Sequence, residues 1–252
     1  MITSLTNEKA KLAHALQTQA KARRSEGRMA LEGLRLIRDA VAAGQRPDYI
    51  LFDPEAVELA ELHAPERLCI PATPEVIRHV SLTESPQGAV GIFPIQPPPL
   101  PSPLTRVLVL DAIADPGNLG TMLRTAAAAG VDAVLLAPGC ADAYNPKALR
   151  AGMGAHFRVP VLEAPWTRLE VLLRGLHVRL ADMTGEASYD RADWSRPWAL
   201  IIGSEAHGAS PQAVELAAER VYIPMAGRTE SLNAAIACGV LLFEAVKVAR
   251  RK

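Results

Sequence analysis

Val107-Leu-Val-Leu110-Asp111-Ala-Ile-Ala-Asp115-Pro-Gly117-Asn118-Leu-Gly120-Thr-Met-Leu-Arg124 decides how the chain is read. A run of four apolar residues is short for a buried helix and suits a strand covered on both faces. The polar, glycine-containing stretch behind it reads as a loop, with Asn118 suited to cap a helix over residues 119–129. The same order recurs downstream. Strands are expected at 133–136, 177–181, 199–202 and 220–223, helices at 146–153, 169–173 and 211–218, and a long last helix from Leu232 to Val248. Short apolar strands separated by helices make an α/β unit with a parallel sheet. Such sheets bind ligands beyond the carboxyl ends of their strands, so chemistry is expected in the loops after Leu110, Ile202 and Ile223.

Upstream, residues 94–103 hold six prolines in ten. Proline cannot donate to a ladder and keeps the chain extended, so 94–104 reads as a linker between a domain at 1–93 and a domain at 105–252. The first domain is expected to hold a basic helix at 7–22 and a second helix at 28–43, with Leu31, Leu34, Ile37 and Val41 on one face. A strand at 49–52, a helix at 56–62, a strand at 67–70, a helix at 74–80 and a strand at 89–93 complete a small α/β sandwich.

The net charge of zero hides an asymmetry. Residues 1–46 carry nine Lys/Arg against four Asp/Glu, and the remainder carries the compensating acidic excess. That distribution fits either a basic face for an anionic partner or a solvated helix. Aromatic residues make up 4% of the chain, which argues against an extended base-stacking platform. Cys69, Cys140 and Cys238 are far apart, have no metal-like spacing and read as free thiols in a reducing compartment. No metal site is expected. The first residues lack the charged-then-apolar order of a signal peptide, and no apolar run approaches the roughly 18 residues of a membrane span, so the expected location is cytoplasmic.

Three loops carry candidate chemistry. In the first, taken alone, Asn118 and Arg124 amount to a capped helix with a surface arginine. The second, Gly203-Ser-Glu205-Ala-His207-Gly208, sets a carboxylate between glycines at the mouth of an apolar strand, where it can accept from a hydroxyl or amine or simply cap the helix near Pro211. The third, Ile223-Pro224-Met-Ala-Gly227-Arg-Thr-Glu-Ser231-Leu-Asn233, brings a hydroxyl and an amide to a helix start, followed by Ala234, Ala235, Ala237 and Gly239 for close packing. A P-loop, a full dinucleotide fingerprint, a G-x-S-x-G elbow and a zinc cluster are all absent from the sequence.

Together, N-x-G-x-x-x-R (Asn118, Gly120, Arg124), G-x-E-x-x-G (Gly203, Glu205, Gly208) and P-x-x-G-x-x-x-S-L-N-x-x-x-A (Pro224, Gly227, Ser231, Leu232, Asn233, Ala237) resemble the three motifs of SpoU/TrmH-like RNA 2′-O-ribose methyltransferases. Asn145 to Pro160 is similar to the family segment between the first two motifs, with Gly152 where members often have serine. The first domain resembles the family's L30e-like substrate-binding domain through Arg23-Arg24-Ser-Glu-Gly27 and Leu31-Glu32-Gly33. The resemblance implies a deep trefoil knot in the second domain, S-adenosylmethionine as methyl donor, an RNA substrate (rRNA, with tRNA as the alternative) and a homodimer whose site the second chain completes. It implies that Ile202, Gly203, Ile223, Met225 and Leu232 hold the cofactor, and that Asn118, Glu205, Ser231 and Asn233 shape the reacting end. Arg124 would activate the hydroxyl or grip the neighbouring phosphate. Arg23, Arg24, Arg28 and Arg150 are the expected RNA contacts, and removal of residues 1–100 is expected to weaken RNA binding and spare cofactor binding. A protein of this fold that binds RNA without turnover is the reading from another class.

Overall fold

A computed structural model of the chain describes residues 1–227 and 231–247. It packs as two units, Met1–Gln96 with Tyr144–Phe157, and Pro97–Ala143 with Arg158–Lys252. Chain order expected one division, at the proline-rich stretch. Packing instead assigns Tyr144–Phe157 to the first unit.

The first half of the chain runs α1 (Glu8–Thr18), α2 (Ala20–Glu26), β1 (Arg28–Glu32), α3 (Leu34–Ala42), β2 (Tyr49–Phe52), β3 (Cys69–Pro71), α4 (Pro74–Val80) and β4 (Ala89–Pro94). It continues with β5 (Arg106–Leu110), α5 (Pro116–Ala129), β6 (Ala133–Leu136), α6 (Pro146–Gly152), β7 (Val161–Glu163) and α7 (Trp166–Leu172). The last part is β8 (His177–Ala181), β9 (Ala187–Ser188), β10 (Trp198–Ile202), α8 (Pro211–Leu216), β11 (Glu219–Tyr222) and α9 (Ala234–Lys247).

The first unit is a four-stranded sheet in the order β1-β4-β2-β3, with β2 and β3 parallel and the other pairs antiparallel. Side chains alternate across a strand, and both faces here are covered. Met29, Leu31, Ile50 and Phe93 pack with Ile37, Leu149 and Phe157. Ala30, Leu51, Val90 and Ile92 pack with Leu16, Val76 and Ile77.

The helix expected over 28–43 is a strand followed by a helix. Leu31, Leu34, Ile37 and Val41 do match a helical period, but residues 29–32 are buried whichever way they point and pair with β4, from Arg28↔Pro94 to Glu32↔Val90. Gly33, with φ at 95°, separates the two elements. The basic helix at 7–22 is likewise two helices, interrupted by the extended Gln19. Of the helix at 56–62, only a 3₁₀ turn at Leu59–Leu62 forms.

The second unit holds a seven-stranded sheet, β7-β6-β5-β10-β8-β11-β9, in which every pairing is parallel. The five strands expected from sequence lie at or within one residue of their predicted places. The edge strands β7 and β9, of three and two residues, were not expected and are too short to carry a pattern. On one face Val107, Val109, Leu180 and Ile201 meet Leu169 and Ala213. α9 packs on β10 and against α5, where a Cβ at Gly239 would stand 3.7 Å from Thr125. α9 begins at Ala234, two residues later than expected, and the predicted end at Val248 lies outside the described residues. All three cysteines are free, and burial pushes the thiols of Cys140 and Cys238 up to about 11 and about 12.

Asp132 anchors the start of the sheet. One carboxylate oxygen accepts from the backbone N–H of Thr105 at 2.6 Å, the Thr105 hydroxyl at 2.7 Å and the backbone N–H of Arg106 at 2.8 Å. Asp132→Ala removes an acceptor from three donors, and hydrogen bonds to a charged group contribute about 1.5–3 kcal/mol. Urea denaturation is expected to show a loss of about 2 kcal/mol; an unchanged midpoint and slope would rule this anchor out.

Candidate active site

The site is built where four parallel strands end side by side. Ile202 pairs with Leu110 on one flank and Ala181 on the other, and Val221 pairs with Ala181. The loops that follow must therefore converge.

The first loop is tied to the second by Asp111, which is 1% exposed. Its backbone N–H donates to Ile202 O at 2.9 Å, and its carboxylate accepts from Ser210 N–H at 2.6 Å. Asp115, not Asn118, caps α5, accepting from Asn118 N–H at 2.8 Å. Asn118 sits inside the first turn of the helix, and this leaves its side-chain amide available.

The second loop explains its glycines. Ser204 and Gly208 exchange backbone hydrogen bonds of 2.9 Å, which close the turn on itself. A Cβ at Gly203 would stand 2.7 Å from Gly208 C and Ala209 N, so only glycine fits there. Gly208 has φ at 70°, a conformation that costs glycine little. The tight turn lifts Glu205 out over the strand ends. Glu205 does not cap the helix at Pro211; Ser210 does that. Its Oε1 instead accepts from Asn118 Nδ2 at 2.6 Å, Asn233 Nδ2 at 3.1 Å and Ala234 N–H at 3.2 Å. Asn233 Nδ2 also donates to Asn118 Oδ1 at 3.2 Å, while its own Oδ1 accepts from Ala235 and Ile236 N–H and caps α9. One residue from each loop thus joins a single hydrogen-bonded cluster, with a carboxylate at the positive end of a helix.

Beside this cluster lies a cavity of about 530 Å³, within the roughly 300–1,000 Å³ of small-molecule sites. Ala181, Ile202, Leu232 and Ala237 give it an apolar wall, and Glu205 and Ser231 a polar end. Ile223, Met225 and Leu241 line a smaller cavity that shares Asp182, Ser231 and Leu232 with the larger one. Ile202, Gly203, Glu205, Ile223, Met225, Ser231, Leu232 and Asn233 therefore all border one cavity or the other. Asn118 reaches them through hydrogen bonds. Arg124 is exposed on α5 and lines neither cavity. His207 is exposed and outside both.

Sequence reasoning passed over the loop after β8, whose Asp182 and Met183 line both cavities. The strand was recognised, but nothing in a linear chain says that its end lies between those of β10 and β11. Asp111 was read only as a loop residue. An acidic residue directly after a fully apolar strand was the available signal, since a carboxylate there is buried only if it has partners.

The four arginines expected to meet RNA have different surroundings. Arg23 is 2% exposed, and its guanidinium donates to Leu16 O at 2.7 Å and Gln17 O at 3.4 Å, carbonyls of the last turn of α1. It is a structural cap, which corrects its assignment as a surface contact. Arg24 is exposed. Arg28 is half-buried and paired with Asp48 and Glu26 at 2.7 and 2.9 Å. Arg150 lies in the first unit, 3.8 Å from Glu32. Among the described residues no cluster could hold a metal ion, and no helix is long and apolar enough to cross a membrane.

A parallel sheet whose strand ends carry a mixed polar and apolar cavity is the architecture of an α/β enzyme that takes a small organic cofactor or substrate. The chain belongs to the SpoU rRNA methylase family, whose model matches residues 105–243, and an MRM3-like substrate binding domain matches residues 7–91. It is 34% identical to the 23S rRNA (guanosine(2553)-2′-O)-methyltransferase RlmP of Bacillus subtilis, over 96% of this chain and 97% of that protein. It is 35% identical to the mitochondrial rRNA methyltransferase 3 of Mus musculus, over 91% of this chain and 70% of that protein. An AdoMet-bound rRNA methyltransferase from Sinorhizobium meliloti superposes with a TM-score of 0.87 at 33% identity, covering 98% of this chain and 97% of that one.

Proposed function

We propose that this protein transfers a methyl group from S-adenosylmethionine to a ribose 2′-hydroxyl of ribosomal RNA. The observation that carries the proposal is the cluster in which Glu205 joins Asn118 and Asn233 at the rim of the cavity. The lining fits the cofactor by chemistry: an apolar wall suits the faces of adenine, and the carboxylates of Asp182 and Glu205 suit ribose hydroxyls and an ammonium group. When bound, the cofactor would supply an electrophilic sulfonium methyl; the C–O bond to the 2′-oxygen would form as the S–CH3 bond breaks, leaving the neutral thioether S-adenosylhomocysteine, and the hydroxyl proton would pass to water. The chain's own work is to position the two reactants, where large rate gains are available. Ile202, Gly203, Ile223, Met225 and Leu232 hold the donor, while Asn118, Glu205, Ser231 and Asn233 orient its reacting end. Arg24, Arg28 and Arg150 contribute phosphate contacts.

A homodimer belongs to the same proposal. Ile236 and Phe243, seven residues apart on α9, are 56% and 43% exposed and share one face of that helix. Arg124 is exposed away from its own cavities, as expected of a residue that completes a site across an interface. The trefoil knot is also part of it, supported by the insertion of β10 between β5 and β8, strands already laid down on either side. A cytoplasmic location is supported by the three free thiols. Ribosomal RNA is favoured over tRNA because relatives matched along nearly the whole chain carry rRNA names.

Purified protein incubated with radiolabelled S-adenosylmethionine and separate rRNA and tRNA pools tests the proposal. Label should enter rRNA and survive alkaline hydrolysis in one dinucleotide, since a methylated 2′-oxygen cannot attack the adjoining phosphate. Label in tRNA alone refutes the substrate, and label in neither refutes the activity.

A further inference from the structure

A third cavity, of about 270 Å³, lies wholly within the first unit and belongs to none of the loops above. Leu36 and Met153 supply apolar surface, Glu32, Asp39 and Arg150 the charged lining, and Arg35 and Ser85 are exposed at its lip. Gly33, at φ 95°, keeps it open against Gln87; a Cβ there would stand 2.7 Å from Gln87 Oε1.

The charges inside are unevenly satisfied. Glu32, its side chain 4% exposed, accepts from Leu82 N–H at 3.0 Å, Thr83 N–H at 3.2 Å and the Thr83 hydroxyl. Its oxygens are thus largely used by the backbone of the neighbouring loop. Arg150 is attracted to it at 3.8 Å but forms no hydrogen bond with it, and Arg150 Nη1 is shut off from solvent with no hydrogen-bond partner among the described residues. A buried donor without a hydrogen-bond partner beside a cavity is open to an acceptor that enters it.

We propose that this cavity takes one unstacked nucleotide of the RNA substrate, its base against Leu36 and Met153 and its phosphate between Arg150 and Arg35. The inference rests on the RNA-methylating function above and adds a second point of grip to it. Sequence-selective RNA recognition generally works on splayed-out bases of this kind, because the grooves of an RNA helix offer side chains little to read.

The test uses the full chain as wild type, Arg35→Ala and Ser85→Trp, the last filling the cavity from its exposed lip. RNA affinity is read by fluorescence anisotropy with rRNA fragments and with a mixture of the four nucleoside monophosphates as competitor; KM and kcat by methyl transfer; cofactor affinity by calorimetry. Both variants should raise the RNA Kd and KM about tenfold, in line with the loss of one base or phosphate contact. Cofactor affinity and kcat at saturating RNA should stay at wild-type values. Wild-type RNA affinity in both folded variants overturns the proposal, as does monophosphate binding that responds to Ser85→Trp while RNA binding does not. A wild-type protein that neither binds nor methylates rRNA overturns the parent function as well, so the two failures are distinct.

Discussion

Arg124→Ala is expected to slow methyl transfer by about 10²–10⁴-fold, the span that a single well-placed proton-transfer or positioning group commands. Cofactor affinity should not change, because Arg124 borders neither cavity of its own chain and its assigned contact, in whichever chain's site it acts, is the RNA. It stands six residues beyond Asn118 on α5, about 9 Å further along the helix axis. It has no hydrogen bond or ion pair with the described residues, so its removal costs the fold little. A guanidinium holds its proton too tightly to be a good base, and a grip on the phosphate beside the target ribose accounts for the same loss. Arg124→Lys should accordingly retain measurable turnover; none, with RNA binding intact, would count against a role for charge alone. Mixing the arginine variant with a Glu205→Ala chain asks where the group acts. If Arg124 serves the partner's cavity, a mixed dimer contains one site with both residues intact, and activity returns on mixing. No recovery after verified subunit exchange would place Arg124 in its own site.

Glu205→Ala on its own should abolish cofactor uptake and with it turnover, by about 10²-fold or more, as expected when a displacement of about 1 Å disorders a reacting pair. The reason is geometric. One oxygen of Glu205 holds an amide from the first loop, an amide from the third and the first N–H of α9. Without it the 3.2 Å bond between Asn118 and Asn233 is the one side-chain link left in the cluster between the first and third loops, although Asn233 still caps α9, and the wall formed by Leu232 and Ala234 loses its tie to the second loop. Glu205 is exposed, so global stability should fall little. Calorimetry against donor and a thermal melt separate the two effects; normal donor affinity with slow turnover would show that the cluster serves chemistry and not binding. Glu205→Gln keeps an acceptor oxygen of the same reach and should fall between alanine and wild type.

In the second unit the strands at 107–110, 133–136 and 199–202 were legible because each is a wholly apolar run too short for a buried helix. The three motifs were legible as a set, although not one was compelling by itself. What linear order hid was lateral order. The loop carrying Asp182 and Met183 enters the site because β8 lies beside β10, which no local signal announces. Helical spacing misled at residues 28–32, where a strand buried on both sides presents apolar residues in every register. Capping residues were ambiguous for a chemical reason: Asp115, Asn118 and Glu205 can each receive backbone N–H groups, and only packing decides which does. Arg23 was misassigned because charge is visible in sequence and burial is not.

The inclusion of Tyr144–Phe157 in the first unit changes what amputation can teach. Removing residues 1–100 would strip Leu149 and Phe157 of the neighbours that bury them, leaving a greasy scar in the middle of the remaining polypeptide. Failure of such a truncation to take up donor would therefore say nothing about where donor binds. Backbone crosses from one unit to the other three times, so a nick in the proline-rich stretch severs only one of three tethers. For the same reason the substrate-binding half cannot be shuffled among relatives as a single cassette; a functional chimera must carry the small internal piece along with it.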